Sequence, residues 1–214
     1  MRGKHIVLTM ILLLATDGVT WAGKQAYKLV MSQNEKLCQH MVALFNADMK
    51  KYRGLEYGKH KEFVTWEPVE NGALTPDKYC RQTLKQNFDI NNDGTADLVI
   101  RTRQCYQSQL TDSLYIFPFN SNAVELLKNP TSQVLGTTPD RLEAMTYYLT
   151  KWPGVKAGEL FPGIYTVLTL EPFKFGQTFY VSMTDLSREL IVIAKYLGGV
   201  HLDHVCYLRG KPLI

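Results

Sequence analysis

Residues 164–208 read IYTVLTLEPFKFGQTFYVSMTDLSRELIVIAKYLGGVHLDHVCYL, and this stretch decides the fold. Four runs within it are rich in Val, Ile, Thr, Tyr and Phe: Ile164–Leu170, Thr178–Met183, Glu189–Tyr196 and Val200–Leu208. Branched and aromatic side chains fit a pleated, half-buried surface, so each run reads as a strand. The breaks fall at Pro172-Phe173, Thr184-Asp185 and Gly198-Gly199. Connections that short favour antiparallel hairpins, because a parallel crossover needs a dozen residues or more.

Further strands are expected upstream. Leu98–Arg103 and Ser113–Phe119 read as partners, and Phe63–Trp66 has strand composition ending at Pro68. Tyr79–Asn87 is open between a short helix and an irregular approach. Two helices complete the reading. The first starts at the capping box Ser32-Gln33-Asn34-Glu35 and carries Leu37, Met41, Leu44, Phe45 and Ala47 or Met49 at helical spacing. The second starts at Thr138-Pro139, places Leu142, Met145 and Leu149 inward, and stops before Pro153-Gly154. A short helix at Ser121–Lys128 is also compatible with the pattern. The architecture expected is therefore α+β: an antiparallel sheet flanked by two helices, as a single disulfide-stabilised domain over 23–214.

Residues 1–22 are different material. Arg2 and Lys4 precede the apolar run Ile6–Ala15, and Val19-Thr20-Trp21-Ala22 closes the segment. This ten-residue run, broken only by Thr9, spans about 15 Å as a helix, half of a bilayer's hydrocarbon core. That is the pattern of a signal peptide cut after Ala22, and of a periplasmic or secreted chain. No later stretch reads as a transmembrane segment. Removing Arg2, Lys4 and Asp17 lowers the formal charge from +4 to +3, too little to imply nucleic acid.

Four cysteines remain: Cys38, Cys80, Cys105 and Cys206. An even number in an oxidising compartment reads as two disulfides. Three pairings are possible; Cys80–Cys105 with Cys38–Cys206 is the favoured one. A zinc site is the rival reading, but no CxxC spacing exists and His201 and His204 alone lie near a cysteine.

The chemistry concentrates in Phe88-Asp89-Ile90-Asn91-Asn92-Asp93-Gly94-Thr95-Ala96-Asp97-Leu98. Side-chain oxygens stand at loop positions one, three, five and nine. Gly94 allows the sharp turn, and Thr95 can offer its carbonyl. Calcium takes about six to eight oxygens, and this alternation wraps them around one centre. The alternative is a metal-free turn, since Asp, Asn and Gly favour turns in any case. Ile100 stands where a complete EF-hand carries its bidentate Glu, and an apolar strand follows where that motif has a helix. The loop resembles the calcium loops of FG-GAP and VCBS-repeat proteins over these eleven residues. That resemblance implies ligand roles for Asp89, Asn91, Asp93, Thr95 and Asp97, and a structural Ca2+; the single copy argues against a propeller.

No G-x-S-x-G elbow or glycine-rich phosphate loop occurs. Lys50, Lys51, Arg53, Lys59, His60 and Lys61 form a basic segment, either a solvated helix end or a docking patch for an acidic partner. Together with Trp152, the residues Lys59, His60 and Lys61 are candidate partner contacts. The expected function is an exported calcium-binding protein with a non-enzymatic binding role, inhibitor or immunity-like, engaging a protein or envelope partner. The alternatives are a hydrolase of an envelope polymer and a purely structural envelope component.

Overall fold

The computed structural model describes residues 27–69, 81–106, 109–117, 139–143, 145–149 and 163–210. The described chain is mostly β, which overturns the α+β expectation. Eleven strands run in order: β1 (Tyr27–Ser32), β2 (Glu67–Pro68), β3 (Arg81–Phe88), β4 (Asp97–Tyr106), β5 (Gln109–Phe117), β6 (Asp140–Glu143), β7 (Met145–Leu149), β8 (Gly163–Phe175), β9 (Thr178–Asp185), β10 (Leu190–Tyr196) and β11 (Leu202–Gly210). One α-helix, α1 (Glu35–Tyr52), follows β1. A six-stranded sheet has the order β1-β11-β10-β9-β8-β7, and a five-stranded sheet the order β2-β3-β4-β5-β6. Every pairing in both is antiparallel.

The period-two alternation of β10 explains the layering. Leu190, Val192, Ala194 and Tyr196 face the five-stranded sheet and join Val99, Leu114, Ile116 and Leu142 in the inter-sheet core. Ile191 and Ile193 point the other way, to meet Leu37, Met41 and Phe45 of α1. Both faces of the larger sheet are thus covered, and each fully buried aliphatic side chain contributes about 1.5–3 kcal/mol. The helix is capped by Asn34, whose Oδ1 accepts the Leu37 N–H at 3.1 Å. Ser32, expected in that role, lies at the end of β1 instead. The helix ends at Arg53, which is left-handed at φ 59°, with Lys50 and Lys51 favourably placed at the negative end of the dipole. Cys38 and Cys206, both fully buried, form a disulfide across 168 residues and pin α1 to β11.

The second expected helix is where the reading failed. Residues 140–143 form β6 and residues 145–149 form β7, which pair with β5 and β8 respectively. Leu142, Met145 and Leu149 mimic helical spacing, but Thr146, Tyr147 and Tyr148 favour strand, and two waiting sheet edges decide the matter. This segment leaves one sheet and enters the other. A second segment does the same: Phe63 bridges Phe173 of β8, while Glu67 and Pro68 pair with β3. The expected helix at 121–128 lies outside the described residues. Tyr79–Asn87, expected as a short helix or an irregular approach, is neither where it is described: Arg81–Phe88 is strand, paired along its length with β4. The break expected at Pro172-Phe173 is also corrected, since β8 continues through Pro172 to turn at Gly176. Among the described residues no helix is long and apolar enough to cross a membrane.

The continuity of β8 through a proline has a local cause. Its outer edge pairs with β7 as far as Val167. Beyond that, the Pro172 carbonyl accepts from Val64 N–H at 3.0 Å, and Lys174 N–H donates to Glu62 at 2.8 Å. In the gap between these partners, the Leu170 N–H is taken by the Asp112 carboxylate at 3.1 Å. Pro172 has no N–H to satisfy on this side, so it sits in the strand at little cost.

Candidate calcium loop

The loop 89–96 joins β3 to β4, and Asp97 opens β4 opposite Phe88. Its inner side is apolar. Ile90 is buried in the inter-sheet core, and Phe88 packs against Phe179 and Trp66 at ring separations of 5.1 and 6.1 Å. Its outer side is polar, with Asp93, Gly94 and Thr95 exposed. Two left-handed residues bend it, Asn92 at φ 62° and Gly94 at φ 92°; Asn and Gly tolerate this conformation best.

The backbone is closed around Asp89. Its Oδ1 accepts the Asp93 N–H and its Oδ2 the Gly94 N–H, both at 2.9 Å. Asp93 Oδ1 accepts from Thr95 N–H at 2.7 Å, and its Oδ2 from the Asn91 amide at 2.9 Å. The Thr95 and Asn91 bonds hold the Asp93 carboxyl below its usual range. Asp97 is the opposite case. It is 3% exposed, and its Oδ2 has no hydrogen-bond partner. Burial, then the charge of Asp93, pushes its pKa up to about 6; Asp89 adds to the rise, and the N–H groups of Ile90 and Asn91 oppose it. Asp97 is thus a buried, under-satisfied carboxylate that feels the charges of Asp93 and Asp89. In this conformation, among the described residues, no three His, Cys, Asp or Glu side chains are gathered closely enough to hold an ion outright.

Asn92 fixes the loop to the opposite sheet. Its Oδ1 accepts the Phe179 N–H at 2.7 Å and its Nδ2 donates to the Phe179 carbonyl at 3.1 Å.

The other candidates fare unequally. Cys80 and Trp152 lie outside the described residues; Cys105 falls in β4. His201 sits in the β10–β11 turn and His204 within β11, so they share no strand face. In the basic segment, Lys51 and Lys59 both place Nζ over the Tyr52 ring, at 4.9 and 4.1 Å. Lys61 is exposed. His60 turns inward, its Nε2 lying 2.8 and 2.9 Å from the two oxygens of buried Asp48.

Sequence reading missed a buried ion cluster between the sheets. Arg101 donates to Glu171 at 2.9 and 2.6 Å and to Asp112 at 2.5 Å. Arg103 donates to Asp112 at 2.8 Å and to Glu171 at 3.3 Å. Two cations and two anions balance, and their bonds join β4 and β5 to β8. Burial lowers the Arg101 pKa, but Glu171 and Asp112 outweigh it and hold the guanidinium above its ordinary value. The signal was present in β4 and β5: Arg101 and Arg103 share the inward parity of Val99, and Asp112 that of Leu114. Tyr196 adds a smaller link, donating to Asp140 at 2.9 Å, while Gly199 N–H donates to the same oxygen at 2.8 Å.

Comparison of this chain with protein-family models, with curated proteins and with solved structures finds no match.

Proposed function

We propose that this chain is an exported calcium-binding protein with a non-enzymatic binding role, inhibitor or immunity-like, in which the ion is structural. The observation that supports it most is Asp97: a buried carboxylate with an unpaired oxygen, at the base of a loop whose oxygens alternate in calcium-ligand spacing. Asp89, Asn91, Asp93, Thr95 and Asp97 would supply the ligands, and the ion would offset the mutual repulsion of three carboxylates. The disulfide Cys38–Cys206 suits a periplasmic or secreted setting. The exposed Lys51 and Lys59 over Tyr52, with the exposed Lys50 and Lys61 nearby in the chain, offer the contact surface for an acidic protein or envelope partner.

Thermal melts of the mature chain in excess calcium and in EGTA test the metal reading. At a calcium concentration one hundred times Kd, linkage gives about 2.7 kcal/mol, a rise in Tm of roughly 5–10 °C for a domain of this size. Asp97→Asn removes the rise. Identical melting curves in the two buffers refute calcium binding. For the binding role, pull-downs from periplasmic or secreted extract compare the wild-type chain with a Lys59→Glu, Lys61→Glu variant. A discrete partner lost on charge reversal supports the basic face, and its retention removes that face from consideration.

A further inference from the structure

The coupling of the loop to the rest of the molecule turns on one side chain. Strand β9 pairs with β10 from Val181 to Thr184, and the pairing stops there. Phe179, two residues before, still pairs with Lys174 of β8 on its other side. The Phe179 N–H and carbonyl both go to the Asn92 amide, which therefore stands in for one residue of a strand neighbour. Asn92 lies between Asn91 and Asp93, so its backbone is shared with the oxygen-bearing residues on either side. Its left-handed φ of 62° is part of the same turn that closes the backbone on Asp89.

Resting on the calcium reading above, the geometry points to Asn92 as a positioning residue that couples ion binding to the docking of the loop on the β8–β9 hairpin. Asn92 is not a ligand in this assignment. With its amide seated on Phe179, the loop is held closed before an ion arrives, and less ordering entropy has to be supplied by ion binding. Linkage makes the coupling reciprocal: an ion in the loop must strengthen the contact at Phe179 by the same factor. A purely local calcium turn would show neither effect.

Asn92→Gly separates the roles, because glycine keeps the left-handed backbone accessible while removing the amide. Calcium affinity is measured by calorimetry on the mature chain, and amide exchange at Phe179 in calcium and in EGTA. The expected result is affinity weakened at least about ten-fold in Asn92→Gly, about 1.4 kcal/mol. In the wild type, calcium slows exchange at Phe179, and in the variant it no longer does. Asn92→Asp, which can accept from the Phe179 N–H but cannot donate to its carbonyl, falls between the two and serves should the glycine variant not fold. Wild-type protein that takes up calcium while Asn92→Gly or Asn92→Asp binds within two-fold of it, with calcium-dependent protection of Phe179 retained, overturns this inference alone. Wild-type protein that takes up no calcium overturns the site itself.

Discussion

Replacing Cys38 and Cys206 together by alanine probes what holds α1 to the larger sheet. The bridge closes a loop of 168 residues, and the chain-entropy relation for a loop of that length gives about 5 kcal/mol at 25 °C. That is comparable to the whole stability of many domains. Both cysteines are fully buried beneath the helix, so reductant reaches them only through opening, and the double variant is the cleaner experiment. Urea unfolding followed by far-UV circular dichroism should show the midpoint of Cys38→Ala, Cys206→Ala lower by roughly 2 M, taking a slope of about 2–3 kcal/mol per molar. Native disulfides in small exported domains contribute about 2–5 kcal/mol. A loss below about 1 kcal/mol would mean that residual structure already restrains the unfolded chain without the bridge, and the entropic reasoning would be refuted.

Glu171→Gln keeps the shape of the buried cluster but leaves Arg101 and Arg103 facing one carboxylate. Breaking a buried pair in this way costs about 3–5 kcal/mol, and urea melts that differ from wild type by less than 1 kcal/mol would contradict the tie between the sheets. The same cluster predicts a pH dependence. Burial alone would raise Asp112, but Arg101 and Arg103 outweigh it, and its folded pKa lies below the usual 3.8. The pairing therefore adds stability above that value and loses it as pH falls through the lower, folded one. Denaturant melts should show Asp112→Asn well below wild type at pH 7, with the gap narrowing below about pH 4; a constant gap down to pH 2 would refute the assignment.

Much of the larger sheet was legible because its strands are local. From 163 to 210 each strand meets the next through a turn marked by glycine or by a short polar run, so composition and spacing found the four strands, while the first break, expected at Pro172-Phe173, falls at Gly176. The 140–149 segment was not legible for the opposite reason. Its partners, β5 and β8, lie on either side of it in the chain, and an apolar spacing of three and four residues fits a helix as well as two short strands. Nothing in a local window distinguishes them; the sheet edges do. The loop was visible as oxygen spacing, yet its two informative features were not. The burial of Asp97 depends on Ile90 entering the core, and the seat of Asn92 on Phe179 joins residues 87 positions apart. The Arg101 cluster was partly readable, since strand parity turns Arg101, Arg103 and Asp112 inward, but its third strand comes from Glu171, 70 residues on.

Among the described residues strand β1 pairs with β11 alone, Tyr27 opposite Gly210. In a chain synthesised from the N-terminus, β1 is therefore made before β11 and stays unmated while the strands between them are added. During that interval the apolar side of α1 has no sheet to cover, and Cys38 waits with no correct thiol in reach. Such a topology is slow to close and exposed to premature oxidation or sticking. A chaperone that shelters residues 27–52 during synthesis would raise the yield of native protein more than one acting on any later hairpin.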